Sequence, residues 1–471
     1  MKMTLIEYLS LGKMHTFKFS ALYFCFLFSV VALLASCSGN SYLNAIPGES
    51  TALISMDVQK LTERSPQNNT VLESILHVKD ISDCGIDVGH KMYFFESQTG
   101  DLGLCAKVSD HDDLEKWLQQ LSQKGVCQSL SEHRGMQFTV LKGVWVLGFS
   151  DHAMLVMGPV TVSAQAEMMQ QMATYLKEDE DDGIKSSPLY DALDSIDSPM
   201  AMVAQVQALP EKLIAPFTIG APRGTDPTQV LISAHIEKKG SVLLFHGQTF
   251  SLNHTIDAAL KKAVKVYRPI TARYAAVMPS DAMVGMFMNV DGKQFLPLMQ
   301  TNRGLTALLA GINEAIDVNS IMKSVNGDMT ILLPSMSDNG LQLMWGAKLA
   351  NSEWLGDVDY WKQSVPQGGK ILDWGKNAYY YTDKKTAFYF GASDDLQFYS
   401  GSSADLARNS IKKSRKPIPA SLQKFIVGGK MVMVINLANT QKGKKQNALS
   451  LFTGFLRPMF GQVNTIVYTL K

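Results

Sequence analysis

Apolar and polar positions alternate in short runs along most of this chain. Thr51–Val58, Lys91–Glu96, Gly103–Val108, Gln137–Val140, Val144–Gly148 and Met154–Met157 read as strands. So do Met283–Val290, Asp328–Leu333, Leu341–Leu349, Ala378–Tyr381, Ala387–Phe390 and Gln397–Tyr399. Apolar residues three and four apart mark helices at Val71–Val78, Asp112–Leu121, Gln165–Tyr175 and Gly304–Ile316. Polar turns at Ser97–Asp101 and Ser335–Gly340 join neighbouring strands closely, which favours antiparallel pairing. Helices set between groups of strands make the class α+β.

The pattern repeats. Ile54-Ser55-Met56-Asp57-Val58 is matched by Met286-Phe287-Met288-Asn289-Val290 at an offset of 232 residues. Ala106-Lys107-Val108 is matched by Ala347-Lys348-Leu349 at 241, and Gly148-Phe149-Ser150-Asp151 by Gly391-Ala392-Ser393-Asp394 at 243. Met200-Ala201-Met202-Val203 is matched by Met431-Val432-Met433-Val434 at 231. Four matches in one order with slowly drifting offsets indicate an internal duplication. The expected organisation is two tandem homologous lobes, residues 42–265 and 266–471. Each would be a mainly antiparallel sheet with helices packed on it.

The N-terminus reads differently. Ala21–Leu34 is one apolar run, preceded by Lys13 and Lys18. It is shorter than the ~20 apolar residues that a membrane-spanning helix needs. A positive flank, a short apolar core and small residues before a cut site describe a secretory signal. Leu34-Ala35-Ser36-Cys37 matches the lipobox of bacterial lipoproteins at every position. On that reading residues 1–36 are a signal peptide, Cys37 carries the lipid and 37–41 form a tether. Leu34, Ala35 and Ser36 would be read by the signal peptidase. Acyl chains contribute about 0.8 kcal/mol per buried CH₂, so several of them anchor a protein stably. A plain secretory signal or an uncleaved anchor is the alternative, and Met14 would start a signal of ordinary length. No aspartate and no acidic run follows Cys37, and the first acid is Glu49. That favours the periplasmic face of an outer membrane, with the cell surface second.

The chain has 471 residues, with 44 basic and 43 acidic side chains. This balance argues against a nucleic-acid partner, which normally demands a basic excess. The charges are unevenly spread. Residues 37–266 hold 18 basic and 28 acidic side chains, whereas 267–471 hold 23 and 14. Glu178-Asp179-Glu180-Asp181-Asp182 and the basic run of Lys412, Lys413, Arg415 and Lys416 fall in corresponding segments of the repeat. They read either as two solvated faces or as interaction patches. A patch would serve the other half of the chain, another envelope protein or an anionic glycan. Cys84, Cys105 and Cys127 remain after signal removal, as small buried hydrophobes or with one disulfide among them.

Catalytic motifs are fragmentary. Ser320-Ile321-Met322-Lys323, Ser337-Asp338-Asn339 and Lys385-Thr386-Ala387 echo a serine acyl-enzyme signature, but the first two lie far too close together. Asp151-His152 and His111-Asp112-Asp113 are weak acid/base or metal fragments. The shared aspartate of the Gly-x-Ser-Asp turn reads as a side-chain cap. The methionines read as core filling, with Met286 and Met288 on one strand face. Tyr379, Tyr380 and Tyr381 with Phe388, Tyr389 and Phe390 read as cross-strand pairs or a sugar-stacking face. No catalytic residue, metal ligand or cofactor is assigned.

The lipobox, the segment Tyr42-Leu43-Asn44-Ala45-Ile46-Pro47 and the strand ending in Met56-Asp57-Val58 resemble a family of uncharacterised Bacteroidetes lipoproteins, a domain of unknown function. The resemblance implies a compartment and a lineage, but no activity and no site residues. The expected function is a non-catalytic envelope lipoprotein that binds another envelope component. The alternatives are an envelope hydrolase acting on glycan or peptide, and a small-ligand carrier using the groove between the lobes.

Overall fold

A computed structural model describes residues 39–63, 81–209, 211–313, 315–337, 340–383, 387–437 and 463–470. The fold is α+β, and its sheets are mostly antiparallel. In chain order the strands are β1 (Ala52–Met56), β2 (Met92–Glu96), β3 (Leu102–Lys107), β4 (Ser131–His133), β5 (Met136–Leu141), β6 (Trp145–Phe149) and β7 (Ala153–Gly158). Then come β8 (Met200–Gln205), β9 (Leu231–Lys239), β10 (Val242–Phe250), β11 (Val284–Asp291), β12 (Val325–Leu333), β13 (Met336–Ser337) and β14 (Gly340–Leu341). The last are β15 (Met344–Leu349), β16 (Lys370–Gly375), β17 (Ala378–Thr382), β18 (Ala387–Ala392), β19 (Gln397–Gly401), β20 (Met431–Asn436) and β21 (Thr465–Leu470). The expected helix Val71–Val78 lies outside the described residues.

Two compact units interleave along the chain. The first takes residues up to 49, then 82–87 and 102–187; the second takes 50–81, 88–101 and 188–471. In the first unit the strands pair in the order β3, β7, β6, β5, β4, all antiparallel. Helix α1 (His111–Gln123) is capped by Asp110, whose carboxylate accepts from the Asp113 backbone N–H at 2.9 Å. It buries Leu114, Trp117, Leu118 and Leu121, the i, i+3, i+4, i+7 stripe of an amphipathic helix. Gly85 has φ of +69°, and a Cβ there would collide with the Asp110 carbonyl and the Leu114 backbone. The bend at residue 85, which packs against the start of α1, therefore needs glycine. Helix α2 (Gln165–Tyr175) buries Met168 and Met172.

In the second unit the strand order is β2, β1, β8, β9, β10, β21, β20, β11, β12, β15, β19, β18, β17, β16. Within that order β10 and β21 run parallel, and every other neighbour is antiparallel. One face of this sheet carries Leu244, Phe287, Val432, Val434 and Val467 in a core shared with segments 270–282 and 418–426. The buried Asp328 ties the entry to that core. It accepts from the Thr271 backbone N–H at 3.0 Å, the Thr271 hydroxyl at 2.7 Å and the Arg273 N–H at 2.9 Å.

The pairing order recurs. β3-β7-β6-β5-β4 is repeated as β15-β19-β18-β17-β16, and β2-β1-β8-β9 as β12-β11-β20-β21. Met56 stands opposite Met92 and Met200, and Met288 opposite Met329 and Met431; all six are buried. Gly48 N–H donates to Asp182 O at 3.1 Å, as Ser280 N–H does to Lys416 O at 2.8 Å. Val108 N–H donates to His152 O at 3.0 Å, as Leu349 N–H does to Leu396 O at 2.9 Å.

The Gly-x-Ser-Asp turns correct one expectation. The serine, not the shared aspartate, organises each turn. Ser150 Oγ accepts from the Ala153 N–H at 3.2 Å, and Ser393 Oγ from the Gln397 N–H at 3.0 Å. Asp394 instead reaches the Lys376 ammonium at 2.8 Å on the surface.

Val467 is fully buried on β21, between β10 and β20. Val467→Asp would bury a carboxylate with no counter-charge, a cost of at least about 3 kcal/mol. Urea unfolding should show the transition moved to much lower denaturant. An unchanged midpoint would mean that β21 is not integral to the sheet.

Candidate functional site

Behind the sheet face opposite Phe287, three helices cover β11, β12 and β15. They are α3 (Gly292–Thr301), α4 (Arg303–Asn313) and α5 (Val318–Ser324). Asp291 caps α3 by accepting from the Lys293 N–H at 2.9 Å. Asp317 caps α5 by accepting from the Asn319 and Ser320 N–H groups. Between helices and sheet lies a small, partly open pocket. Met286 and Met288 of β11, Met329 and Ile331 of β12 and Trp345 of β15 form its floor. Phe295, Met299, Leu305 and Met322 come from the helices, and Leu343 completes the wall.

The lining is wholly apolar. Trp345 is buried, and its indole N–H has no hydrogen-bond partner among the described residues. A buried donor left unmatched costs about 1–3 kcal/mol. Thioether side chains are unbranched and polarisable, so such a wall adapts to the shape of an apolar guest. The arrangement suits a purely apolar guest.

The residues singled out from sequence fall in several places. Leu34, Ala35, Ser36 and Cys37 lie outside the described residues. Glu178, Asp179, Glu180, Asp181 and Asp182 belong to the first compact unit; Lys412, Lys413, Arg415 and Lys416 belong to the second. The four basic residues are all exposed. Glu180 pairs with Lys185 at 2.7 Å, and the Asp179 carboxylate accepts from the Asp181 N–H at 3.0 Å. Glu178 is half-buried and one carboxylate oxygen has no hydrogen-bond partner among the described residues. Burial first, then the charges of Asp182 and Asp179, push its carboxyl up to about 7.

The weak catalytic fragments stay apart. Ser320 Oγ donates to Asp317 Oδ2 at 2.7 Å within the α5 cap. Asp338, Asn339, Lys385 and Thr386 lie outside the described residues. His111 Nδ1 is 3.7 Å from Asp112 at the start of α1, and its ring packs against Phe149. The tyrosine cluster forms cross-strand pairs, with Tyr380 stacked on Tyr389 at a centroid distance of 5.0 Å. Cys84, Cys105 and Cys127 are buried with no disulfide between them.

One grouping was not anticipated. His235 and Glu237 of β9 and His246 of β10 come together with ligand atoms all within 4.8 Å of one another. The sequence held a usable signal. Gly240-Ser241 makes a two-residue turn that sets Lys239 opposite Val242, and counting outward sets His235 opposite His246.

The family described as a domain of unknown function (DUF4836) matches residues 58–424, and the chain belongs to that family. No curated protein matches the chain. Among solved structures, crystal form I of TP0453 is similar at 10% identity with a TM-score of 0.29, over 49% of this chain and 87% of that one. Crystal form IV of TP0453 is similar at 9% identity with a TM-score of 0.26, over 43% of this chain and 77% of that one. Likeness at that level carries no argument about fold or activity.

Glu178 supplies a pH dependence. Its carboxyl holds a proton more tightly in the fold, up to about 7, than in the unfolded chain at its ordinary value of 4.5. The fold therefore takes up protons within that window, and stability declines as pH rises through it and levels off above. Glu178→Gln should remove this part of the decline, read as a smaller drop in Tm between pH 5 and 7.5. Equal drops in both proteins would show that Glu178 stays ionised in the fold.

Proposed function

We propose that this member of the DUF4836 family is a non-catalytic lipoprotein of a bacterial cell envelope, held in the membrane by lipid on Cys37. It is built from two homologous copies and holds an apolar ligand in the methionine-lined pocket of the second. The lineage suggested by the opening segment is Bacteroidetes, and the site is the periplasmic face of the outer membrane. The observation that carries this reading is the wholly apolar lining of the pocket, with its methionine floor. A fatty acyl chain suits such a lining, and a chain tethered to a bilayer meets such ligands. The matched hydrogen bonds and methionine positions support the two copies. The wholly apolar pocket lining supports binding rather than catalysis, which needs convergent polar groups.

The opposite charges of the two runs support a role for electrostatics in assembly. The 178–182 and 412–416 segments would meet charged surfaces of another envelope protein or an anionic glycan.

Two measurements test this reading. Growth with an alkyne-tagged fatty acid should label the wild-type protein, and Cys37→Ala should abolish the label. Label persisting on Cys37→Ala would overturn the anchor. For the pocket, a fluorescent fatty-acid analogue should bind the full-length protein in detergent. Met288→Trp should weaken it at least ~10-fold by filling the floor, at a packing cost of about 1–3 kcal/mol. Met286→Trp should weaken it similarly from the next position on the same face of β11. Binding that neither change alters would remove the pocket from the function.

A further inference from the structure

β9 and β10 form a long hairpin whose turn is Gly240-Ser241, with Gly240 at φ +61°. Directly opposite residues on antiparallel strands share a face, as do residues two apart along one strand. His235 and His246 are directly opposite, and Glu237 follows His235 by two. All three side chains therefore rise from one face of the sheet. The imidazole rings lie 4.8 Å apart between centroids at an interplanar angle of 25°. Both histidines are half-buried and Glu237 is exposed, so the group opens towards solvent on the glutamate side. The next residues in this row are Ala201 beside His235 and Thr469 beside His246, and neither brings a charge against a cation.

We propose that His235, Glu237 and His246 bind a divalent transition-metal ion of the zinc class. Two imidazoles and one carboxylate are the donors that such borderline ions prefer. Ligand atoms around a tetrahedral zinc stand about 3.4 Å apart, given bonds of about 2.1 Å. The three donors lie within 4.8 Å of each other, close to that spacing. Three protein ligands leave a fourth position open on the solvent side for water or an anionic group. Lys239 pairs with Glu237 at 3.0 Å. That pair is exposed on both sides and yields readily to a divalent ion.

The placement gives the ion a structural consequence. β10 is the strand through which β9 meets β21, so a metal bridging β9 and β10 clamps the hairpin at that junction. Neither the lipid anchor nor the apolar pocket contributes a ligand, so this site stands or falls independently of the function proposed above.

The test uses the full-length protein in detergent, stripped with a chelator and titrated with Zn²⁺ in a calorimeter. One ion per chain is expected, with a rise in Tm. Cobalt should give the visible absorption of a four-coordinate site. His235→Ala and His246→Ala should each weaken zinc at least ~100-fold, since loss of a ligand costs more than the 10–100-fold seen for outer partners. Glu237→Gln should weaken it at least ~10-fold. Glu237 is exposed, so that variant folds whatever the histidine variants do, and circular dichroism confirms it. Absence of zinc binding by the wild type would overturn the proposal. So would unchanged affinity in Glu237→Gln together with unchanged stoichiometry in any folded histidine variant.

Discussion

The second unit depends on the pairing of β10 with β21. It is the parallel contact in an otherwise antiparallel order, and it brings together strands more than two hundred residues apart in sequence. On one side of it run β9, β8, β1 and β2; on the other run β20, β11, β12 and the strands beyond. Without it, each set would present an edge with unmatched N–H and carbonyl groups, the condition that invites wrong pairing. Leu244 of β10 and Val467 of β21 lie directly side by side and enter the same buried core. The backbone ladder and the core therefore reinforce one another at this point. A contact of such sequence separation forms late, after its loop entropy has been met by local structure.

The two faces of the sheet have different chemistry, and the difference follows from alternation along β11. Phe287 points into a core closed by chain segments, whereas Met286 and Met288 point to helices that leave a space. On the first face a buried charge is satisfied. Asp328 sits at the start of β12 with three donors on its carboxylate, so burial of its charge is offset by charge-assisted hydrogen bonds. On the second face the helices leave an apolar space above the methionines, and that space is what the proposed ligand would fill.

Much of this was legible in the sequence because period-two alternation survives wherever one strand face is more buried than the other. β1, β6, β7, β11 and β17 match their expected spans to within about two residues, and α2 matches end to end. The long hairpin of β9 and β10 was missed. Ile236 and Phe245 are buried, but His235, Glu237 and His246 interrupt the other face with polar residues, so no clear period-two run stands out there. The pocket was missed for another reason. Its floor was visible as Met286 and Met288, but Met299 and Met322 come from helices whose approach depends on tertiary packing. The turn serine was misjudged in favour of aspartate because both types make local bonds, and only geometry tells which one points inward.

The recurrence of pairing order bears on how the charges are to be understood. Gly48 bonds to the carbonyl of Asp182, and Ser280 bonds to that of Lys416, so the backbone is held alike at the end of each charged run. The same main-chain frame carries acids in one place and bases in the other. Neither sign is needed to hold that frame, because its hydrogen bonds come from the backbone. Change at such positions is cheap for stability, whereas change at Met56 or Met288 is not, since each packs between two further buried methionines. Opposite charge on equivalent frames is therefore best explained by what each run faces in solution. The methionine lining differs as well: Ile54 and Phe94 stand where Met286 and Ile331 line the pocket. A recurring strand order with different lining and different charge at matched positions can specialise its surfaces without change to the backbone that carries them.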